Sequence, residues 1–396
     1  MPTATRLCAG LGICALLAHP QARVPSAVIQ VSGTVFDDRN GNGQKEPTEP
    51  GLGGVSVSDQ DQVVTTATDG TYRLTSAGTS GVLFVSLPDG FRSDSWWHRI
   101  AADQRSADFP LRQAPQPAEF TFVHASDTHV SSATRYRMQR MRALVDSIQP
   151  AFVIVTGDLV KDALRVSETE ATGYYRTFQD EASQLTATLW TVPGNHENFG
   201  IERKLSGVNP EHPLYARGMY HAFRGPDYYS FNVGGIHFVG LNSIDIDDMW
   251  YYGHVDSAQV AWLARDLANV SSQTPVVTFN HIPFFTAVET INGYTDAPPA
   301  PSVITVRGKA SFRHSVSNAR EILAVIRGHP YPLALGGHMH VREILRYPGV
   351  ETRFDQAAAI VGNSGSAELT FPSGITVYRV RAGRIGEGEF VPLGIK

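Results

Sequence analysis

The sequence contains almost no cysteine. Its two cysteines, Cys8 and Cys14, both lie within residues 1–22, where Arg6 precedes an apolar stretch, Leu7 to Ala18, that is too short to cross a bilayer. This pattern is typical of a signal peptide, although the segment has no clean small-x-small cleavage site and a buried first helix is the alternative. Removal of the segment leaves a chain without thiol or disulfide. We therefore expect a secreted or periplasmic protein that is held by its core and by any bound metals.

Long runs of positive charge and of apolar residues are missing as well. The formal net charge is −5, and no run of Lys or Arg provides a patch for nucleic acid or an anionic membrane. After residue 22 no apolar run approaches the length of a membrane span. The hydrophobic share of 42% and the charged share of 18% are those of an ordinary folded protein. The length of 396 residues favours two domains.

The first predicted domain, residues 28–111, is a small all-β sandwich. Short β-branched runs alternate with turn signals, and Asp69-Gly70 between two of these runs indicates a hairpin. The predicted strands are Val28 to Phe36, Gly54 to Val57, Val63 to Thr66, Thr71 to Thr75 and Val82 to Leu87. A Pro-rich stretch without periodicity, residues 112–119, is predicted to be a linker.

The second predicted domain, residues 120–396, has an α/β pattern in which apolar runs alternate with helical periodicity. Helices are predicted over Thr134–Ile148, Glu168–Gln184, Ser257–Asn269 and Ser315–Ile326. Beyond His340 the sequence becomes strand-rich, and Val377–Val380 and Gly388–Pro392 are predicted to form a terminal hairpin.

Five apolar runs in this second domain end abruptly in Asp, Asn or His. They are Phe120–His129, Phe152–Asp158, Leu189–Glu197, Val276–His281 and Leu333–His340. Apolar runs of this length indicate buried strands, and the ligands of open α/β sheets bind beyond the carboxyl ends of the strands. We therefore expect the polar ends to converge on one rim.

The residues at these strand ends have the chemistry of a metal site. Four imidazoles, two carboxylates and one carboxamide suit zinc, iron, manganese or nickel, and a carboxylate can bridge two cations because it has two oxygens. The candidate ligands are Asp127, His129, Asp158, Asn195, His281, His338 and His340. Taken singly, each motif has a plainer interpretation as a turn or as a hydrogen-bonded core histidine. Their occurrence together, in order and at strand ends, favours a site for two metals.

In this order the motifs resemble those of the calcineurin-like metallophosphoesterase superfamily. The resemblance covers roughly Phe120 to Lys396 and rests on Asp127-x-His129, Gly157-Asp158, Gly194-Asn195-His196-Glu197, His281 and Gly337-His338-x-His340. It implies a four-layer sandwich of two mixed β-sheets flanked by helices. It also implies two ligand sets that share Asp158: Asp127, His129, Asp158 and His340 for one metal, and Asp158, Asn195, His281 and His338 for the other.

Three further positions bear on the chemistry that the resemblance implies. His196 is not an implied ligand but would stabilise developing charge or protonate the leaving oxygen, which suits an imidazole with an unperturbed pKa of about 6.5. Lys161 stands where the purple acid phosphatase branch has a tyrosine, which argues against a tyrosinate-coloured ferric site. Glu197 stands where the motif commonly has aspartate and is expected to orient its neighbours rather than to bind metal.

The small domain resembles the N-terminal module of some bacterial calcineurin-like phosphoesterases, which is itself similar to adhesin B-type repeats. Residues 38–49 fit the calcium loop Asp-x-Asn-x-Asn-Gly-x5-Glu, in which side-chain oxygens wrap one Ca²⁺. The candidate calcium ligands are Asp38, Asn40, Asn42, Gln44 and Glu49. Strands rather than helices flank this loop in the prediction. The alternative is a polar hairpin whose Asn-Gly steps permit positive φ.

Candidates for substrate contact are the aromatic and imidazole side chains of Trp250, Tyr251, Tyr252 and His254. Together with the irregular insertion Asn292–Pro301 they lie next to ligand-bearing strands and can form a pocket wall. The alternative is that these aromatics pack a strand-to-helix junction.

The residues and the resemblance together predict an exported hydrolase of a phosphate ester, in which a hydroxide activated by two divalent or transition metal ions (Mn, Fe, Zn or Ni) attacks phosphorus. A phosphodiester is slightly preferred on the resemblance, and the sequence has no obvious Arg cluster for a terminal phosphate dianion. The alternatives are a phosphomonoesterase or 5′-nucleotidase-like activity and, less favoured because no ligand is missing, a non-catalytic surface adhesion protein.

Overall fold

The computed structural model describes residues 28–76, 81–101, 103–115, 118–296, 301–362 and 371–395. The predicted signal peptide, residues 1–22, lies outside these ranges, as do residues 116–117 of the predicted linker and residues 297–300 of the predicted insertion. No helix within the described ranges combines the length and the apolar character that a membrane crossing requires.

The N-terminal region folds into two four-stranded sheets. Its strands are β1 (Ile29–Asp37), β2 (Ser56–Ser58), β3 (Val63–Thr65), β4 (Thr71–Ser76), β5 (Val82–Val85), β6 (Phe91–Arg92), β7 (Trp97–Arg99) and β8 (Phe109–Gln113). One sheet has the order β4-β1-β8-β6 and the other β3-β2-β5-β7. Side chains alternate along β4, so that Tyr72 and Leu74 are buried while Thr71 and Arg73 face solvent.

The five strands predicted in this region are confirmed to within a few residues, but β6, β7 and β8 were not predicted. The predicted start of the linker is wrong, because Arg112 and Gln113 pair with Arg92 and Phe91 in the β6–β8 ladder. The next strand already begins at Glu119. The strand with which these residues pair lies about twenty residues earlier in the chain, so the sequence of the Pro-rich stretch does not reveal the pairing.

Two mixed six-stranded sheets carry the remainder of the chain. The strands of these sheets and of two separate two-stranded hairpins, β14–β15 and β17–β18, are β9 (Glu119–Ala125), β10 (Phe152–Thr156), β11 (Thr188–Val192), β12 (Tyr229–Val233), β13 (Ile236–Gly240), β14 (Ile244–Asp247), β15 (Trp250–Gly253), β16 (Val276–Phe279), β17 (Val303–Val306), β18 (Lys309–Phe312), β19 (Leu333–Gly336), β20 (Glu343–Leu345), β21 (Arg353–Gln356), β22 (Gly374–Arg381), β23 (Arg384–Ile385) and β24 (Glu389–Pro392). The first sheet has the order β11-β10-β9-β22-β23, with β24 also on β22, and the second has the order β12-β13-β16-β19-β21-β20. Strands β9, β10 and β11 run parallel, as do β13, β16, β19 and β21. The predicted terminal hairpin is confirmed by the pairing of β22 with β24.

The helices confirm four predictions and add shorter elements. They are α1 (Arg135–Ile148), α2 (Glu168–Ala182), α3 (Arg203–Ser206), α4 (Arg217–Arg224), α5 (Ser257–Leu267), α6 (Val288–Asn292) and α7 (Ala319–Ile326), with a short 3₁₀ helix at Asn195–Glu197. Helix α7 begins four residues later than predicted. The first turn that was predicted does not form, because the Val316 and Ser317 N–H groups donate to the carbonyls of Pro283 and Gly253.

Aromatic rings fill the space between the two large sheets. Phe122 of β9 and Phe152 of β10 stack at 5.2 Å, and Phe231 of β12 and Phe238 of β13 stack at 5.1 Å. The two pairs meet edge to face, with Phe152 and Phe238 5.2 Å apart. Apart from their buried area, such pairs add about 0.5–1.5 kcal/mol each. The core therefore fixes one sheet against the other.

Helices cover the outer faces of both sheets. On the first sheet, Val153 and Val155 of β10 pack with Met141 of α1 and Phe178 of α2. On the second, Asp266 of α5 accepts hydrogen bonds from the neighbouring strands β12 and β13, and α5 packs beside α7. The α/β fold with two mixed sheets between helices, preceded by a strand-rich region, is confirmed.

The N-terminal region packs directly on the second large sheet. The Ser86 and Ser230 hydroxyls lie 2.9 Å apart, Gln60 Nε2 donates to Asp227 Oδ1 at 2.9 Å, and the Asn232 N–H donates to the Leu87 carbonyl at 2.9 Å. Apolar residues of both regions belong to one continuous core. The contact is therefore a buried interface and not a loose tether.

Candidate metal centre

The polar residues that follow five strands converge on one rim between the two large sheets. Asp127, Asp158 and Asn195 follow β9, β10 and β11 of the first sheet, while His281 and the His338–His340 pair follow β16 and β19 of the second. Hydrogen bonds join the two sides: His281 Nδ1 lies 2.7 Å from the Thr156 carbonyl oxygen, and the His338 N–H donates to Asp127 Oδ2 at 3.1 Å. All seven predicted metal ligands are brought together.

One group of potential ligand atoms consists of Asp127, His129, Asp158 and His340, with all four atoms within 4.8 Å of one another. His340 Nε2 lies 3.2 Å from Asp127 Oδ1, and His129 Nε2 lies 3.4 Å from Asp158 Oδ2. The His129 and His340 Nε2 atoms face each other at 3.3 Å.

The second group consists of Asp158, His281 and His338, again within 4.8 Å. His281 Nε2 lies 3.3 Å from Asp158 Oδ2, 3.1 Å from His338 Nδ1 and 3.2 Å from Asn195 Oδ1. Asp158 therefore belongs to both groups, as the resemblance to the superfamily implied.

These donors fit two cations. Imidazole nitrogens that face each other across a little more than 3 Å, next to carboxylate oxygens, direct lone pairs at a common point that a cation can occupy. Asp127, Asp158 and His281 are buried, and buried carboxylates are normally paired or coordinate metals. The residues therefore suit divalent or transition metals with nitrogen and oxygen ligands, while the arrangement leaves the metal's identity open.

The electrostatics of the rim favour the ligand forms of these side chains. Burial lowers the pKa of His129 to about 4 and the pKa of His338 well below its ordinary value, so both rings are neutral at pH 7. Burial alone would raise the pKa of Asp158, but the charges of His281 and His196 outweigh it and hold that pKa well below its ordinary value. Burial alone would lower the pKa of His281, but the neighbouring Asp158 raises it to about 9. Metal binding must therefore displace a proton from His281.

Five of the seven candidate ligands have a positive backbone φ, which is rare for residues other than glycine. The angles are 54° for Asp127, 39° for His129, 49° for Asp158, 72° for His338 and 58° for His340. Each such residue costs on the order of 1–3 kcal/mol, and strain of this kind concentrates at functional sites.

Two glycines allow the ligand loops to approach closely. A Cβ on Gly194 would collide with the backbone and carboxylate of Asp158, and a Cβ on Gly337 would collide with the Ser126 hydroxyl and crowd Asp127. The Gly-Asn-His and Gly-His-x-His motifs therefore need glycine for steric reasons.

Glu197 ties two of the ligand loops together. Its Oε1 accepts the Val160 N–H at 3.0 Å and its Oε2 accepts the Gly194 N–H at 2.6 Å. Burial, followed by the charge of Asp158, raises the pKa of Glu197 to about 8. The carboxyl group of Glu197 fixes the turn after Asp158 against the turn before Asn195, and its orienting role in a metal site stays a prediction.

His196 faces the centre without belonging to either ligand group. The backbone N–H of His196 donates to Asp158 Oδ1 at 3.0 Å. In the imidazole ring, Nε2 lies 3.9 Å from Asp158 Oδ2 and Nδ1 lies 3.8 Å from Asp162 Oδ1. The ring meets His129 edge to face at 4.6 Å. An imidazole in this place can reach a substrate bound at the rim. Asp162 was not singled out from the sequence, although it lies only four residues after Asp158.

The predicted substrate contacts divide into two sets. Tyr251 borders the centre, with its ring 6.0 Å from the His338 ring, and the Arg313 guanidinium covers the Tyr251 ring at 4.2 Å and the Trp250 ring at 5.3 Å. Tyr252 and His254 instead contact Asp245, at 2.9 and 3.0 Å. Only Tyr251 is placed directly against a candidate ligand.

His314 is a residue of the rim that sequence reasoning missed. Its Nδ1 lies 2.7 Å from His338 Nε2, and the two ring planes differ by 24° with their centroids 5.0 Å apart, so the rings meet end to end. His314 follows β18 in a segment without a strand-end motif, so no local signal marks it. Only the folded chain brings it to His338.

The predicted calcium loop, residues 38–49, is closed by its own hydrogen bonds. Asp38 accepts the N–H groups of Gly41 and Gly43, and Glu49 accepts those of Arg39 and Glu46. Gly41 and Gly43 both have φ of 75°, as the hairpin alternative requires. Asp38 and Glu49 are buried, while Asn40, Asn42 and Gln44 are exposed. The calcium site stays a prediction.

Known proteins that resemble this chain include members of one enzyme family. The family model for calcineurin-like phosphoesterase matches residues 120–342, more than half of the chain. A probable cyclic nucleotide phosphodiesterase of Rhodococcus erythropolis is 22% identical over 260 residues, which are 62% of this chain and 71% of that protein. A dimetal phosphatase of Danio rerio, at 14% identity, covers 70% of this chain and all of its own with a TM-score of 0.46. GAP50 of Plasmodium, described as the anchor in the inner membrane complex, is 10% identical, with 70% and 85% of the two chains covered and a TM-score of 0.42.

Proposed function

Because the chain belongs to the calcineurin-like phosphoesterase family and is a metal-dependent phosphoester hydrolase, we propose that it hydrolyses a phosphodiester at the rim between its two large sheets. The observation that carries this proposal is the pair of ligand groups that share Asp158. Seven donors from five separate strands meet there, and four of them are imidazoles.

The chain's own residues divide into those that hold cations and those that act on the substrate. Asp127, His129, Asp158 and His340 would hold one cation, and Asp158, Asn195, His281 and His338 the other. When bound, the two cations neutralise charge on phosphoryl oxygens and lower the pKa of bound water. Glu197 and the close-packed glycines keep the ligand loops in register before any cation arrives.

His196 acts on the leaving oxygen in this proposal. Its imidazole is partly exposed, with 21% of the side chain accessible, and faces the same side as the ligands. A protonated imidazole there donates its proton to the oxygen that leaves phosphorus, and a neutral one stabilises the charge through its N–H. Tyr251 forms one wall of the site.

The preference for a diester is supported by two neighbouring arginines, whose guanidinium groups already bond to protein groups. A phosphomonoester carries a terminal dianion that bidentate arginines recognise well. Arg165 is paired with Asp162 and Glu202 at the edge of the site, and Arg313 is buried with its donors on the carbonyls of Tyr251 and Pro301. The name of the Rhodococcus relative, a probable cyclic nucleotide phosphodiesterase, points the same way.

The proposal is tested with bis-p-nitrophenyl phosphate and p-nitrophenyl phosphate, each with Mn²⁺ and the purified chain. We expect the higher kcat/KM for the diester, and a preference for the monoester would reverse the assignment. D158N is the matched control for metal dependence. Since Asp158 belongs to both ligand groups, this variant should bind neither cation tightly and should lose activity on both esters.

Export is part of the same proposal. The pattern of residues 1–22 supports a signal peptide, which places the enzyme in the periplasm or outside the cell, where a chain whose cysteines are removed needs no disulfide chemistry. Intact mass measurement of the protein recovered from the periplasm or medium should give a chain that lacks about the first 22 residues. Recovery of the unprocessed chain from the cytoplasm alone would contradict export.

A further inference from the structure

The ring of His338 has two nitrogens in different surroundings. Its Nδ1 lies 3.1 Å from His281 Nε2, on the side where Asp158 Oδ2 and Asn195 Oδ1 also lie within 3.3 Å of that His281 nitrogen. This is the side on which a cation would bind. Its Nε2 points away from the ligand group, to His314.

The contact with His314 has the geometry of a strong hydrogen bond. His314 Nδ1 and His338 Nε2 are 2.7 Å apart, which requires a proton between the two nitrogens because two lone pairs at this distance repel. If His338 uses Nδ1 as a ligand, its proton sits on Nε2 and that N–H donates to His314. The edge-on ring of Tyr251 packs against another side of His338.

His314 is itself held firmly. The N–H groups of its neighbours Arg313 and Val316 donate to the carbonyls of Ser302 and Pro283 at 3.0 and 2.9 Å. The Arg313 guanidinium, which is buried, donates to the Tyr251 carbonyl and lies on the Tyr251 ring. The segment therefore has little freedom to move His314 away from His338.

We propose that His314 is a positioning residue of the metal centre. It accepts the Nε2–H of His338 at its Nδ1, fixes the tautomer and orientation of that ring, and keeps His338 Nδ1 available for the cation shared with Asp158, Asn195 and His281. Partners of this kind raise the basicity of a ligating histidine, and their loss typically lowers metal affinity by about 10–100-fold. The inference rests on the metal-dependent function proposed above.

Two replacements separate the hydrogen bond from the ring. H314F keeps an aromatic ring at this position but removes the acceptor, whereas H314N places its Oδ1 where His314 has Nδ1 and so keeps the acceptor. H98F is the control, because His98 lies in β7 of the N-terminal region, packed on Phe109. The full chain is dialysed against chelator and titrated with Co²⁺, and binding is followed by calorimetry and by the visible Co²⁺ spectrum.

We expect wild type and H98F to bind two Co²⁺ ions with the same affinities. H314F should bind one of them about 10–100-fold more weakly while the other stays unchanged, and H314N should stay within about threefold of wild type at both sites. In the NMR spectrum of the Co²⁺ protein, the shifted N–H proton of His338 should exchange slowly with water in wild type and H314N. In H314F it should exchange fast.

Other outcomes overturn the inference. Unchanged Co²⁺ binding and slow proton exchange in H314F mean that the hydrogen bond has no positioning role. Equal weakening in H314F and H314N, or a third Co²⁺ ion that disappears in both, means that His314 acts through a metal bond of its own. If wild type binds no Co²⁺, the proposed function itself fails, which is distinct from a failure confined to His314.

Discussion

Replacing His196 by alanine tests the chemistry of the site separately from its metal ligands. The imidazole faces the rim, with Nε2 3.9 Å from Asp158 Oδ2, but lies outside both ligand groups. The His196 N–H that donates to Asp158 Oδ1 is a backbone group and is retained in the variant. We therefore expect H196A to bind its cations like wild type and to lose only what the side chain contributes to the reaction.

The expected loss in kcat is about a hundredfold. A positioned acid or base contributes about 10²–10⁴-fold, and two features place His196 at the low end of this range. The side chain is 21% exposed, and its Nδ1 is 3.8 Å from Asp162 Oδ1, too far for a hydrogen bond that would hold the ring. A hundredfold loss corresponds to about 2.7 kcal/mol of activation free energy.

The assay compares two diesters that differ in their leaving group. p-Nitrophenolate leaves readily without a proton, whereas the alkoxide of a glycerophosphodiester requires one. If His196 donates that proton, the loss in H196A should be at least about tenfold larger for the alkyl diester. Equal losses would assign His196 to charge stabilisation. H98A, altered in β7 of the N-terminal region, should match wild type on both substrates.

Two results would refute the reasoning on His196. One is a kcat within about twofold of wild type for both diesters with both cations bound, since a positioned acid contributes far more. The other is loss of a cation from H196A, measured by atomic absorption, which would make His196 a ligand.

Three further predictions concern protons, the buried interface and calcium. Metal affinity should rise with pH. Asp158 outweighs the effect of burial and raises the pKa of His281 to about 9, so the proton on His281 competes with the cation. Co²⁺ titrations at about pH 6 and pH 8 check this prediction, and equal affinities at the two pH values contradict it. D227N should lower the free energy of unfolding by about 3–5 kcal/mol at pH 7, because buried Asp227 is hydrogen-bonded by Gln60, Asn242 and His221. Burial alone would raise the pKa of Asp227, but His221 holds it below its ordinary value. The ionised Asp227 therefore stabilises the folded protein above about pH 4, and this stabilisation is lost at lower pH. The free energy of unfolding of D227N, measured with urea, should depend less on pH in that range than that of wild type. Removal of calcium should lower the melting temperature without abolishing hydrolysis once the transition metals are restored; the effect should vanish in E49A, and unchanged melting of wild type would count against the predicted loop.

The candidate metal centre could be predicted because its residues follow a rule of sheet topology. Buried parallel strands end at the same edge, so polar residues at the ends of several apolar runs must meet. Asp127 and Asp158 follow adjacent parallel strands, and His281 and His338 do the same in the second sheet. A polar residue at the end of an apolar run thus carries long-range information, whereas a histidine without such a run before it, such as His314, does not.

The parts that were not predicted depend on partners that are distant in sequence. Strand β6 exists because Phe91 and Arg92 find β8, and the first turn of α7 is lost to carbonyls of Pro283 and Gly253. The hydrogen bonds of Tyr252 and His254 to Asp245 were not predicted either, and their contact with substrate stays a prediction. Each of these outcomes is decided by a competing hydrogen-bond partner that local periodicity does not reveal.

The strain at the ligands also lies beyond sequence patterns, and the fold explains how it persists. Left-handed backbone favours glycine, yet aspartate and histidine, the candidate ligands, occupy it at the rim. Backbone hydrogen bonds on both sides hold them in place: Asp127 N–H donates to the Gly157 carbonyl, His129 N–H to the Asp158 carbonyl, and Val361 N–H to the Asp127 carbonyl. The loops after β9 and β10 therefore form a short ladder of their own beyond the sheet. These hydrogen bonds between protein groups align the candidate ligands at the rim.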